Sequence, residues 1–189
     1  FNAGVTSITD NATVNVQGGL LLTGYLGRGV DDTQKVTDAM PLAADGYTSV
    51  NGGGSIVVGD KGHLVLNQGM TLDIAADGAL TSTGSVSIYA KNGITNTAAT
   101  LQYSGGTHTL GGTVSLGGNL NVTDAKLDLT GATLEKFGGD AGTAGTIAVT
   151  RSTSTDDKMA RVDMTSDQLS SWLAKDGSVT VTGTTERKA

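Results

Sequence analysis

The sequence predicts an all-β chain wound as a right-handed parallel β-helix (β-solenoid) with a short C-terminal capping helix. Three features carry that expectation. Apolar residues recur two apart in short segments, which is the strand period with one face buried. Turn-forming Gly and Asn separate these segments about every 6 to 9 residues. Aromatics are only 4% of the 189 residues, too few to fill the space between two packed sheets. Strands this short give poor ladders in a meander. In a stack of coils, each strand instead pairs with its equivalent in the next coil, around a narrow aliphatic interior.

The elements follow in order. Val5, Ile8, Val14, Val16, Leu20 and Leu22 supply an opening coil or two. Alternation then stops between residues 24 and 51, where Arg28, Asp31, Asp32, Lys35, Asp38, Pro41 and Asp45 fall without strand period. This stretch is expected to be a loop insertion on the solenoid of residues 1–150. Insertions in solenoids collect on one face, often the binding face. Arg28, Asp31 and Asp32 are therefore the ligand-binding candidates, against the plain alternative of a long surface excursion.

From Gly53 to Thr150 the pairs run without a break of this kind. Ile56/Val58, Leu64/Leu66, Leu72/Ile74, Val86/Ile88, Val114/Leu116, Leu120/Val122, Leu127/Leu129 and Ile147/Val149 mark the strands. Gly62, Gly69, Asp77-Gly78, Gly84, Gly105-Gly106, Gly111-Gly112 and Gly117-Gly118 mark the bends. Thr and Gly, at 29 each, divide between wet strand positions and turns. Coils of roughly 20–25 residues are expected, about four of them in this stretch.

Residues 151–189 change character and read as a C-terminal cap. Thr165-Ser166-Asp167-Gln168 has the capping-box spacing, with Thr165 as N-cap and Gln168 at N3. Leu169, Trp172 and Leu173 fall on one helical face, and Gly177 suits the position after the helix. A helix over 166–175 is expected, followed by a final strand with Val179 and Val181. An open coil end exposes core and ladder, so a covering helix there has a physical reason.

Composition excludes several chemistries. There is no Cys, so there is no disulfide framework and no thiolate site. A net charge of −6 argues against nucleic acid as a partner. No apolar run is long enough for a membrane span. His63 and His108 have no ligand partners at metal spacing and read as surface residues. Asp31-Asp32 and Asp156-Asp157 are adjacent carboxylates, which point to opposite faces on a strand. Acidic residues do not repeat at coil spacing, as a polysaccharide-cleaving groove would need. Thr81/Thr83, Thr95/Thr97 and Thr107/Thr109 pair hydroxyls, but their separations do not match one coil. No catalytic residue, metal ligand or cofactor is assigned.

Gly111-Gly112-Thr113-Val114-Ser115-Leu116, Gly117-Gly118-Asn119-Leu120-Asn121-Val122 and Leu127-Asp128-Leu129-Thr130-Gly131-Ala132-Thr133-Leu134 resemble passenger regions of bacterial autotransporters and related β-helical surface adhesins. The resemblance covers roughly residues 50–150 and lies in rhythm and composition. It implies an extracellular or cell-surface β-helix. The expectation is thus a non-enzymatic adhesin or surface scaffold segment, meeting a host or matrix glycan or protein through loops. A self-assembling subunit of an extracellular filament or matrix is the alternative, with a polysaccharide-active enzyme behind both.

Overall fold

The computed structural model describes residues 6–22, 46–67, 69–90, 98–152 and 160–183. Within them the chain runs in triplets of short strands. The first is β1 (Thr6–Ile8), β2 (Thr13–Val16) and β3 (Gly19–Leu22). The second is β4 (Gly46–Val50), β5 (Ser55–Val58) and β6 (His63–Leu66), and the third β7 (Met70–Ala75), β8 (Ala79–Ser82) and β9 (Ser85–Ile88). Then come β10 (Thr100–Ser104), β11 (Thr107–Thr109) and β12 (Gly112–Leu116), followed by β13 (Asn119–Thr123), β14 (Lys126–Asp128) and β15 (Ala132–Lys136). The last triplet is β16 (Thr146–Thr150), β17 (Arg161–Asp163) and the helix α1 (Ser166–Ala174). It is followed by β18 (Ser178–Thr182).

No strand ladders with its neighbour in sequence. Each pairs, always in parallel, with the strand one triplet away. Four sheets result: β1-β4-β7-β10-β13-β16-β18, β2-β5-β8, β11-β14-β17 and β15-β12-β9-β6-β3. The fold is therefore all-β with parallel sheets and one short helix. No ladder joins β8 to β11 among the described residues, so the second position of the triplets is split between two sheets.

The interior is built from rows in register. Leu72, Leu101, Leu120 and Ile147 stand opposite one another on four successive strands and are all fully buried. Ile74, Tyr103, Val122 and Val149 form the next row. Leu64, Val86, Val114 and Leu134 line up on the sheet that ends at β15. The intervening residues of each strand face outward, as the two-residue period requires. Burying each such Leu or Ile contributes roughly 1.5–3 kcal/mol.

The corners between strands are tight enough to dictate residue type. A Cβ on Gly78 would lie 2.0 Å from Val50 O in the preceding triplet, and one on Gly54 would lie 2.1 Å from Ile8 O. Only a hydrogen fits there, so these two glycines serve packing between triplets.

Gly46–Val50 is a strand, which shortens the excursion expected at 24–51 from its C-terminal side. Its residues 24–45 lie outside the described residues, and Arg28, Asp31 and Asp32 lie there with them. The helix has both arms of the expected capping box. Gln168 N donates to Thr165 Oγ1 (3.1 Å), and Thr165 N donates to Gln168 Oε1 (2.8 Å). Its end differs from expectation. The left-handed residue is Asp176 (φ +62°), and Gly177 is small because Trp172 needs the space. A Cβ on Gly177 would sit 2.3 Å from the indole ring. Of the three apolar residues expected on one helix face, Trp172 alone is buried; Leu169 and Leu173 are exposed.

The helix covers the outer edge of β15. Gln168 Nε2 donates to Leu129 O (2.8 Å), Thr130 O (3.3 Å) and Ala132 O (2.7 Å). Lys175 Nζ donates to Leu134 O at 3.4 Å. Carbonyls that an edge strand would leave open thus meet side chains.

Candidate binding surface

The seven-stranded sheet has the largest outward face. Its register sorts the outward residues into rows across the strands. One row is Tyr47, Thr71, Thr100, Asn119, Thr146 and Ser178. The middle row is Ser7, Ser49, Asp73, Gln102, Asn121, Ala148 and Thr180. A third is Ala75, Ser104, Thr123, Thr150 and Thr182. Asp73 is the one carboxylate among them, and none is Lys, Arg or His. Charge lies elsewhere: Lys126, Asp128, Arg161 and Asp163 are the paired outer residues of β14 and β17.

Hydrogen bonds between strands hold this face. Tyr47 Oη donates to Asp73 Oδ2 at 2.5 Å, and Ser104 Oγ donates to Asp73 Oδ1 at 2.7 Å. Asp73 on β7 thereby ties β4 to β10. The bond to Asp73, with burial and the carboxylate's charge behind it, pushes the Tyr47 pKa up to about 12. Gln102 Nε2 donates to Thr123 Oγ1 and to Tyr103 O, both at 3.1 Å. Ser49 Oγ donates to Ser7 Oγ at 3.3 Å, and the Thr146 and Ser178 hydroxyls share a 2.8 Å bond.

The sequence missed this face. The Thr-x-Thr pairs visible in the sequence, Thr81/Thr83 and Thr107/Thr109, lie on β8, on β11 and in the connection after β8. Thr95 and Thr97 lie outside the described residues. On the seven-stranded face, bonded partners stand 19 residues apart at Thr100 and Asn119 but 32 apart at Thr146 and Ser178. Unequal connections hide the array. The signal that could have found it is the polar residue between the apolar members of each strand pair.

The chain passes from the sheet ending at β15 to the seven-stranded sheet between β3 and β4, between β9 and β10 and between β15 and β16, and of these three connections 137–145 is the one described throughout. In the last of these, Phe137 and Thr143 exchange two backbone hydrogen bonds of 3.0 Å. The Phe137 ring packs on Tyr89, at the start of the β9–β10 connection, with centroids 4.3 Å apart. Gly117 lies between Phe137 and Ala90: a Cβ there would come 2.5 Å from the Phe137 Cβ and 2.8 Å from the Ala90 Cβ.

The histidines divide. His63 is exposed, with Nδ1 2.6 Å from Ser85 Oγ. That is a nucleophile–base contact, but it stands on an open strand face with no third group orienting the imidazole among the contacts described. His108, expected at the surface, is buried. Its ring packs 4.9 Å from Tyr103, and Nε2 donates to Gly105 O at 2.7 Å. His108 is flanked by exposed Thr107 and Thr109, so strand alternation turns it inward. The Tyr103 hydroxyl beside it has no hydrogen-bond partner, and burial raises its pKa. Asp156 and Asp157 lie outside the described residues. Among the described residues, no three His, Cys, Asp or Glu side chains gather as a metal site would need, and no helix is long and apolar enough to cross a membrane.

No family model, curated protein or solved structure matches the chain.

Proposed function

We propose that this chain is a right-handed parallel β-helix serving as a non-enzymatic extracellular adhesin or surface scaffold segment. The observation that carries the solenoid reading is the ladder order, in which every strand pairs in parallel with a strand one triplet away. Seven strands at ~4.8 Å spacing make a column of about 30 Å. Such a column is rigid because each triplet is laddered to the next and its interior rows interlock. Its work is to hold surfaces in fixed positions. The corner at the 137–145 connection and the outward face of the seven-stranded sheet, with Asp73 as its one carboxylate, are the surfaces it presents. The extracellular placement rests on the resemblance of residues 50–150 to autotransporter passengers, and the lack of Cys is compatible with it.

The test is binding without turnover. The purified chain is expected to bind cells or matrix carrying its ligand and to leave polysaccharides uncut. Robust cleavage of an acidic polysaccharide, lost when a single Asp is changed, overturns the reading.

A specific observation also favours self-assembly. The large apolar residues exposed among the described residues are Leu169, Leu173 and Val181, all at the C-terminal end of the stack. The outer edge of β18 is unpaired among the described strands, which suits strand addition from a second chain. Sedimentation at rising concentration decides: a strict monomer rejects assembly.

A further inference from the structure

We propose that the outward face of the seven-stranded sheet, centred on Asp73, binds an uncharged saccharide chain. The proposal rests on the adhesin reading and selects glycan over protein within it.

The first argument is the exclusion of charge. The chain carries 30 charged side chains, 12 basic and 18 acidic. Among the described residues Asp73 is the one charged side chain in its outward rows, against four in the paired outer residues of β14 and β17, while the outer residues of β2, β5 and β8 carry none. An anionic polysaccharide would meet Asp73 with no cation to offset it. A nucleic acid would meet the same obstacle.

The second argument is the donor and acceptor chemistry. Asp73 accepts one hydrogen bond on each oxygen, from Tyr47 and Ser104, which leaves a lone pair on each for a ligand hydroxyl. Gln102 commits its amide N–H groups to Thr123 Oγ1 and Tyr103 O and keeps its carbonyl oxygen as an acceptor. Asn121, between Gln102 and Ala148 in register, offers both a donor and an acceptor. Sugars supply hydroxyls that both donate and accept at close spacing. A hydroxyl bound to a carboxylate makes a charge-assisted bond, stronger than a neutral one.

The third argument is preorganisation. Asp73 holds Tyr47 and Ser104 across three strands, and Gln102 is held separately by Thr123 and the Tyr103 carbonyl, so little side-chain freedom is lost on binding. A protein partner would seek an apolar centre with aromatic anchors. This face has one aromatic side chain, Tyr47, and its hydroxyl is already committed to Asp73. The face is open, not a pocket, so it takes an extended chain lying along it and not an enclosed small molecule.

The test uses the full chain, a panel of neutral gluco-, manno- and galacto-oligosaccharides, and polygalacturonate as the anionic probe. At least one neutral saccharide is expected to bind, and polygalacturonate is not. Asp73→Ala and Asn121→Arg are each expected to weaken binding about tenfold or more. The thermal midpoint of Asn121→Arg stays at the parent value. If Asp73→Ala unfolds, Asn121→Arg and Gln102→Ala, which leave the Asp73 bonds intact, decide. Neutral-saccharide binding unchanged in these variants rejects this face while leaving an adhesin that binds through its corner loops. Tighter binding of polygalacturonate rejects the uncharged ligand. Binding of no saccharide by the parent chain rejects both this face and the glycan half of the adhesin reading.

Discussion

Tyr47 Oη donates a 2.5 Å hydrogen bond to Asp73 Oδ2, from β4 diagonally across to β7. The bond raises the Tyr47 pKa from 10.0 to about 12. A group whose pKa is raised on folding stabilises the fold fully below its unfolded value. Here that contribution is complete below about pH 10 and disappears as pH rises through about 12. Asp73→Ala removes the acceptor and its charge together. One tyrosine is then expected to ionise nearer its ordinary value, read from tyrosinate absorbance against pH. An unchanged titration would contradict the bond.

Leu101 and Thr123 stand on neighbouring strands with opposite fates. Leu101 is fully buried in an interior row; Thr123 faces outward. Leu101→Ala is expected to cost about 2–5 kcal/mol in urea unfolding, the loss typical of a cavity in a tight core. Thr123→Ala, which removes the acceptor of the Gln102 bond, should cost about 0.5–1.5 kcal/mol, less than Leu101→Ala. Equal losses at the two positions would reject the inward–outward assignment of β10 and β13.

Gly78→Ala should destabilise by about 1–3 kcal/mol, because the added methyl meets the Val50 carbonyl of the preceding triplet. Gly131→Ala is the comparison, since nothing lies within 4 Å of a Cβ there. Thermal midpoints of the two variants measure the difference. If Gly131→Ala proves the worse of the two, the close approach between triplets is wrong.

Gln168 serves two structures at once. Its oxygen accepts from Thr165 N, and its amide reaches three carbonyls in and beside β15. Gln168→Leu should cost about 1–3 kcal/mol, more than a capping change alone, because the partly buried carbonyls of Leu129 and Ala132 each lose a side-chain donor, Leu129 O keeping its bond from Ala132 N. Faster amide exchange in α1, with the exchange in β4 and β7 unaltered, would place the loss at this edge. Uniformly faster exchange across all strands would instead show that α1 is part of one cooperative unit.

The strand rhythm was legible because apolar residues two apart leave one face buried, as in Leu120/Val122 and Ile147/Val149. The helix was legible because Thr165 and Gln168 form a capping box whose geometry depends on local spacing alone. Other features depend on what the next triplet brings. His108 looks polar in sequence and is buried because β11 is three residues long and turns its middle one inward. Gly177 resembles a helix terminator, but its size is set by Trp172. The Asp73 face has no sequence period because connections of unequal length separate its rows. Arg28, Asp31 and Asp32 lie in the one long stretch without alternation, where strand period gives no information.

The triplet order is tested most directly by disulfide formation between paired Cys substitutions, since the chain has no Cys of its own. Thr100 stands opposite Asn119 in register, and parallel neighbours lie within disulfide reach. Thr100→Cys with Asn119→Cys is predicted to cross-link on mild oxidation, and so is Thr71→Cys with Thr100→Cys. Thr100→Cys with Thr109→Cys is predicted to stay reduced, although those residues are nearer in sequence. Efficient cross-linking of 100 to 109, with none to 71 or 119, would mean that β10 pairs with its sequence neighbour as a hairpin, and the coil order would fall.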